Sequence, residues 1–204
     1  MTLNRLIAVL AALLTAIALS GCTSQPASDG HTDHSHSADP SPLITAEPAG
    51  FNADDVAFAT NMIPHHQQAV ELAGLVPDHT DNAELRTLAQ QISGAQQPEI
   101  NTMNAFLVQW KENPGDEHAG GHQNHDAMTG MVDDETMAQL KTLNGAAFDK
   151  LWLQSMISHH QGAIEMAKAE VANGQNVDAK QLAQTIIDAQ QAEIEQMQKM
   201  LGGN

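Results

Sequence analysis

Tyrosine is absent from this chain of 204 residues, cysteine occurs once, and the aromatics amount to two Trp and four Phe. A single cysteine excludes an intrachain disulfide, a zinc ribbon and a thiolate cluster. Cations are also scarce: 8 Lys and Arg face 25 Asp and Glu, for a formal charge of −17. A nucleic-acid groove needs clustered Lys and Arg, so no nucleic-acid partner is expected. There is no Gly-x-Ser-x-Gly, no P-loop and no His-Glu-x-x-His, and the chain is expected not to be an enzyme. What is present is a globular balance of 42% apolar and 16% charged residues. The unusual entries are 11 histidines and 10 methionines, both metal-ligand types.

Residues 1–21 read as a lipoprotein signal. Arg5 is the sole charge before an apolar run from Leu6 to Leu19, about the length of a secretory core and short for a membrane span. Leu19-Ser20-Gly21-Cys22 resembles a bacterial lipobox, in which the cysteine becomes the first mature residue and carries a lipid. The expected location is therefore extracytoplasmic and membrane-anchored through Cys22, in the periplasm or on the outer face of the cell membrane. Cleavage removes one base and no acid, moving the formal charge from −17 to −18. No later stretch is apolar enough to span a bilayer.

Residues 22–50 read as a disordered tether, small, polar and punctuated by Pro40, Pro42 and Pro48. It contains His31, His34 and His36; a linker over 112–132 contains His118, His122, His125, Met128 and Met131. Flexible His-rich tracts outside the cytoplasm suggest loose metal capture.

The remainder, 51–204, is a duplication. MIPHHQQAVELA at 62–73 returns as MISHHQGAIEMA at 156–167, with eight of twelve positions identical. At the same offset of 94, AQQISGAQQPEINTM at 89–103 returns as AQTIIDAQQAEIEQM at 183–197, with nine of fifteen identical. The sequence predicts helices over 53–76, 81–111, 146–173 and 177–201 and a short one over 133–143. Asn52 with Asp55, and Asp81 with Glu84, look like capped starts; Asn173-Gly174 looks like a stop. Two hairpin repeats, 53–111 and 146–202, make an all-α four-helix bundle. Pro64 and Pro98 remove backbone donors inside the first two helices and should kink them.

Helical-wheel positions place the chemistry. With Met62 at 0° and about 100° per residue, His65 falls near −60° and His66 near +40°, inside the arc of Phe58, Ala59, Ala69, Leu72 and Val76. On the next helix, with Met103 at 0°, Glu99 falls near −40° and Gln96 near +20°, within an arc of Leu85, Leu88, Ile92 and Leu107. A carboxylate in an apolar arc needs a partner. The second repeat presents Met156, His159, His160, Gln190, Glu193 and Met197 in the same way. Ten residues thus become candidate metal ligands: Met62, His65, His66, Glu99, Met103, Met156, His159, His160, Glu193 and Met197. Imidazole and thioether without thiolate suit copper, sulfur for Cu(I) and nitrogen for Cu(II). A di-iron site needs Glu-x-x-His, which occurs nowhere in the chain.

The blocks Met62-Ile-Pro-His-His-Gln-Gln-Ala and Met156-Ile-Ser-His-His-Gln-Gly-Ala, with Phe148-Asp149 upstream of the second, resemble the domain-of-unknown-function family 305. The resemblance covers about 52–202. It implies a secreted or lipid-anchored bacterial domain with a ferritin-like four-helix bundle. A periplasmic copper-binding protein of cyanobacteria is similar to this family, which implies copper binding and resistance. The carry-over reaches Met62, His65, His66, Met156, His159 and His160; Pro64 becoming Ser158 breaks the strict repeat and predicts unequal sites.

The leading expectation is a lipid-anchored extracytoplasmic protein that binds or sequesters copper ions, Cu(I) or Cu(II). One alternative is a structural module of the cell envelope, with His–Glu pairs as core contacts. A ferritin-like metal oxidase is the third reading, with no substrate named by the sequence. Ligands could come from one hairpin, from both, or from a second copy of the chain, so a homodimer stays open.

Overall fold

A computed structural model describes residues 50–111 and 129–202. The lipobox, the tether and the histidines of the linker lie outside the described residues. Five helices account for the fold: α1 Ala53–His79, α2 Ala83–Gln109, α3 Asp134–Leu140, α4 Gly145–Asn173 and α5 Val177–Gly202.

The starts follow from capping chemistry. Asn52 accepts from the backbone N–H groups of Asp54 and Asp55, and the Asp55 carboxylate accepts from Asn52 N–H, which completes a capping box. A cap of this type is worth about 1 kcal/mol. The start of α2 differs from the expected one. Asn82, not Asp81, is the cap, taking the N–H groups of Glu84 and Leu85. Asp81 instead meets Arg86 on the surface at 3.1 Å. α1 also continues past the expected end at 76, through Pro77. His79, beyond that expected end, is its last residue; its Nδ1 lies 2.7 Å from the Leu143 carbonyl and its ring stacks on Phe148. Pro64 and Pro98 both lie within continuous helix.

α1 pairs with α2 and α4 with α5, and the two hairpins meet chiefly along α1 and α4. Burial divides the interior in two. One apolar cluster joins Leu72, Val76, Leu85, Leu88, Ile92, Phe148, Trp152 and Met156 with Ile194 and Met197. The other joins Phe58, Met62, Ile100, Met103 and Leu107 with Ala163, Ala183 and Ile186. Each of the four long helices divides its buried apolar residues between the two clusters, while α3 gives Met137 and Leu140 to the first alone. The residues where the halves meet are the histidines, Gln96, Glu99, Gln190 and Glu193.

The ends of the bundle are locked reciprocally. Asp55 on α1 accepts from the backbone N–H groups of Gln175 and Asn176 in the α4–α5 turn, at 3.1 and 2.8 Å. Its repeat mate Asp149 on α4 accepts from the Asn82 side chain in the α1–α2 turn, at 3.1 Å. Arg86 donates to the Thr80 carbonyl and its repeat mate Lys180 to the Gly174 carbonyl. Trp152 adds a buried bond across the seam, Nε1 to the Leu72 carbonyl at 2.8 Å. These contacts fix the two hairpins in one register, which fixes how the histidines meet.

Candidate metal centre

His65, His66, His159 and His160 are all completely buried, although the helices carrying them could have turned polar faces outward. The apolar halves above and below set the rotation of α1 and α4 and hold the four rings inside. Within each His-His pair the two rings take different directions. His66 turns to its own hairpin, with Nε2 at 2.9 Å from Glu99 Oε2. His160 does the same with Glu193, at 2.7 Å. His65 and His159 turn to each other across the seam, ring centroids 3.8 Å apart and planes at 38°.

The hydrogen-bond account is incomplete in a patterned way. Both nitrogens of His65, both of His159, and the Nδ1 of His66 and of His160 have no hydrogen-bond partner. The buried amides Gln96 and Gln190 also leave oxygens unpaired. An unpaired buried polar atom costs about 1–3 kcal/mol, so native interiors retain few of them. Six ring nitrogens, with these amide oxygens beside them, mark a place shaped for something other than stability. The carboxylates of Glu99 and Glu193 can only accept from the rings facing them. This puts the proton of His66 and His160 on Nε2 and leaves Nδ1 as the open lone pair.

The electrostatics keep the central pair uncharged. Burial pushes the His65 ring down to about 3, helped by the nearby His66 and opposed by the Thr129 carbonyl. Burial, then His65, His160 and His66, hold His159 well below the usual imidazole range. Neutral imidazole is the form that binds a metal, so no proton has to be displaced at neutral pH.

The ten sequence-predicted residues fall into two groups. The histidines and glutamates occupy the central layer. Met62 and Met103 belong to the apolar cluster on one side of it, and Met156 and Met197 to the cluster on the other; all four are fully buried. Among the described residues, no three His, Cys, Asp or Glu side chains converge on one point where they stand. The donor set is therefore paired imidazoles bordered by thioethers, with carboxylates spent on orienting rings. That is a soft, low-coordination set, which fits Cu(I) better than zinc or iron.

Two features of the site escaped the sequence. The segment before α3 docks on the histidine helices: Gln68 exchanges two hydrogen bonds with the Val132 backbone, at 2.7 and 2.8 Å, and Thr129 lies against Gly162. The signal was the repeat mismatch of Gln68 with Gly162, visible but without meaning until the partner segment was placed. The second is Glu170 on α4, 1% exposed, where the first repeat has Val76. Burial and the neighbouring Asp55 raise its carboxyl to about 8.

The family model described as "Domain of unknown function (DUF305)" matches residues 55–201. A DUF305 protein from Streptomyces coelicolor superimposes with a TM-score of 0.69 at 34% identity, over 74% of this chain and 93% of that one. CopM in its Cu(II)-bound form gives a TM-score of 0.62 at 33% identity, over 73% and 96% of the chains; its Cu(I)-bound form gives 0.61 at 30%. A curated relative, uncharacterized protein L153 of Acanthamoeba polyphaga mimivirus, is 36% identical over 58 residues, and the match spans only 38% of that protein.

Proposed function

Because the chain belongs to the domain-of-unknown-function family 305, we propose that it is an extracytoplasmic copper-binding protein that sequesters the ion in the centre of its helical bundle. The observation that carries this is the His65–His159 pair: two fully buried, uncharged rings in contact, with all four nitrogens unpaired. Copper is cargo here. His65 and His159 supply nitrogen from both hairpins, and Nδ1 of His66 and of His160 is the open nitrogen on either side. Glu99 and Glu193 act through those two rings by fixing their tautomer. Met62, Met103, Met156 and Met197 are buried thioethers in the apolar clusters on either side of the histidine layer, and they favour the reduced ion.

CopM, similar over most of this domain, has been solved with Cu(I), Cu(II) and silver bound. Silver is a soft monovalent ion, in line with a thioether and imidazole set. The lipobox at Cys22 supports a lipid anchor, and the His-rich tracts at 31–36 and 118–125 support a capture role outside the bundle. The chain binds rather than turns over a substrate.

One observation favours the structural alternative. The His66–Glu99 and His160–Glu193 bonds are what polar core contacts would look like. That alternative leaves His65 and His159 unexplained, since nothing is satisfied by placing them there. Titration of the domain over 50–204 with Cu(I), against a competing chelator, separates the two. The copper reading expects tight uptake that the combined His65→Ala and His159→Ala variant loses. Equal uptake by both proteins overturns the central site.

A further inference from the structure

The two histidine helices are repeats, yet their surroundings are not. Gln68 on α1 and Gly162 on α4 occupy the same repeat position. Gln68 grips the Val132 backbone through both its amide groups, donating to the carbonyl at 2.7 Å and accepting from the N–H at 2.8 Å. Gly162 supplies the seat: a Cβ there would run into the Thr129 carbonyl, and its Cα is close to Gly130. Gly130 has φ of 81°, which favours glycine, and a Cβ on it would stand 2.6 Å from the Ser158 carbonyl. The segment is thus held at one end by a side chain and at the other by two glycines in backbone contact.

The same Thr129 carbonyl is turned toward the His65 ring as an acceptor. It does not complete an aligned hydrogen bond there. Such bonds commonly tighten only when the site is loaded. His159 has a main-chain acceptor of its own, the His65 carbonyl, which belongs to α1 and not to the segment before α3.

Resting on the copper reading above, we propose that residues 129–132 are the positioning element of the site. The Thr129 carbonyl accepts the N–H of one His65 ring nitrogen when the other nitrogen takes the ion. Metal-ligating imidazoles generally donate their second nitrogen to an acceptor, and losing that acceptor weakens binding about 10–100-fold. Here the acceptor is a main-chain atom that no side-chain substitution at 129 can delete. Its placement depends instead on Gln68 and Gly162. The inference also gives the two repeats unequal roles: His65 is oriented by the backbone of a docked segment outside the repeats, and His159 by the backbone of α1.

The test uses the full chain loaded with Cu(I), which is diamagnetic. Affinity is measured by chelator competition, and the protonation of each His65 nitrogen by imidazole nitrogen-15 shifts. The proteins are the wild type, Gln68→Ala, Gly162→Ala, His65→Ala and the His65→Ala/Gln68→Ala double variant, with thermal unfolding recorded for each. Expected are a 10–100-fold loss in Gln68→Ala and in Gly162→Ala, a protected N–H on His65 in the wild type only, and no further loss when Gln68→Ala is added to His65→Ala. If Gly162→Ala fails to fold, Gln68→Ala and the double variant still decide. A wild type that binds while Gln68→Ala matches it, or an equal loss from Gln68→Ala in the His65→Ala background, overturns this inference alone. A wild type that takes up no Cu(I) overturns the copper reading and this one with it.

Discussion

His65 on α1 and His159 on α4 touch ring to ring across the seam between the hairpins, and neither is hydrogen-bonded. Two buried polar rings without partners destabilise the metal-free fold. Replacing both with leucine, of comparable bulk and without polar atoms, is expected to raise the melting temperature while abolishing high-affinity copper uptake. One kcal/mol corresponds to roughly 2–4 °C for a domain of this size, so differential scanning calorimetry resolves the gain. A drop of several degrees would assign the pair to structure instead.

Glu99→Gln and Glu193→Gln keep an acceptor but remove the charge that holds the His66 and His160 rings. Each is expected to weaken Cu(I) binding by about tenfold or more, the range seen when an outer partner of a ligating histidine is lost, and to leave the helical circular dichroism unchanged. Because both rings border one centre, the two losses are expected to couple, the double variant losing less than the sum on a logarithmic scale. Competition titration of the two single variants and the double checks this.

Glu170 supplies a pH signature. Its folded carboxyl is raised to about 8 by burial and by Asp55, so the folded state holds a proton that the unfolded chain has released above about 4.5. Stability from this group is complete below that range and declines as the pH climbs to about 8. Glu170→Gln is expected to flatten this decline between pH 5 and 8, read as chemical-denaturation midpoints across the range. A wild-type curve that rises over the same interval would show the carboxyl ionised in the fold.

Trp152→Phe removes the bond to the Leu72 carbonyl and also part of a fully buried ring, leaving space in the cluster. The expected cost is about 1 kcal/mol for the bond and about 1 kcal/mol more for the vacated volume, detectable as an earlier denaturation midpoint. Copper affinity should not move, because Trp152 lies within the apolar cluster rather than in the histidine layer.

The duplication and the wheel reached much of this in advance. The 94-residue offset predicted two equal hairpins, and most residues in the arcs around Met62 and Met103 are buried, with Glu99 only partly so and Ile63 buried outside its arc. What a wheel cannot hold is direction beyond its own helix. It placed His65 and His66 in one arc; only the packing of α1 on α4 sends one to Glu99 and the other to His159. The cap of α2 was misplaced by one residue because Asp81 and Asn82 are both good caps, and Arg86 draws Asp81 away. Glu170 was legible as an acid in the place of Val76, but its partner Asp55 arrives from the other hairpin. Contacts made by the 129–132 segment depend on where a linker returns, which periodicity does not encode.

The crossed grip of Asp55 on the α4–α5 turn and of Asp149 near the α1–α2 turn has a consequence for how the centre forms. Each hairpin carries both a carboxylate and the turn that the other hairpin's carboxylate seizes. The two repeats therefore close on each other as two subunits do across an interface made of the same patch on both sides. The facing rings are repeat mates, His65 and His159, so neither hairpin holds the centre by itself, and it exists only once both have docked.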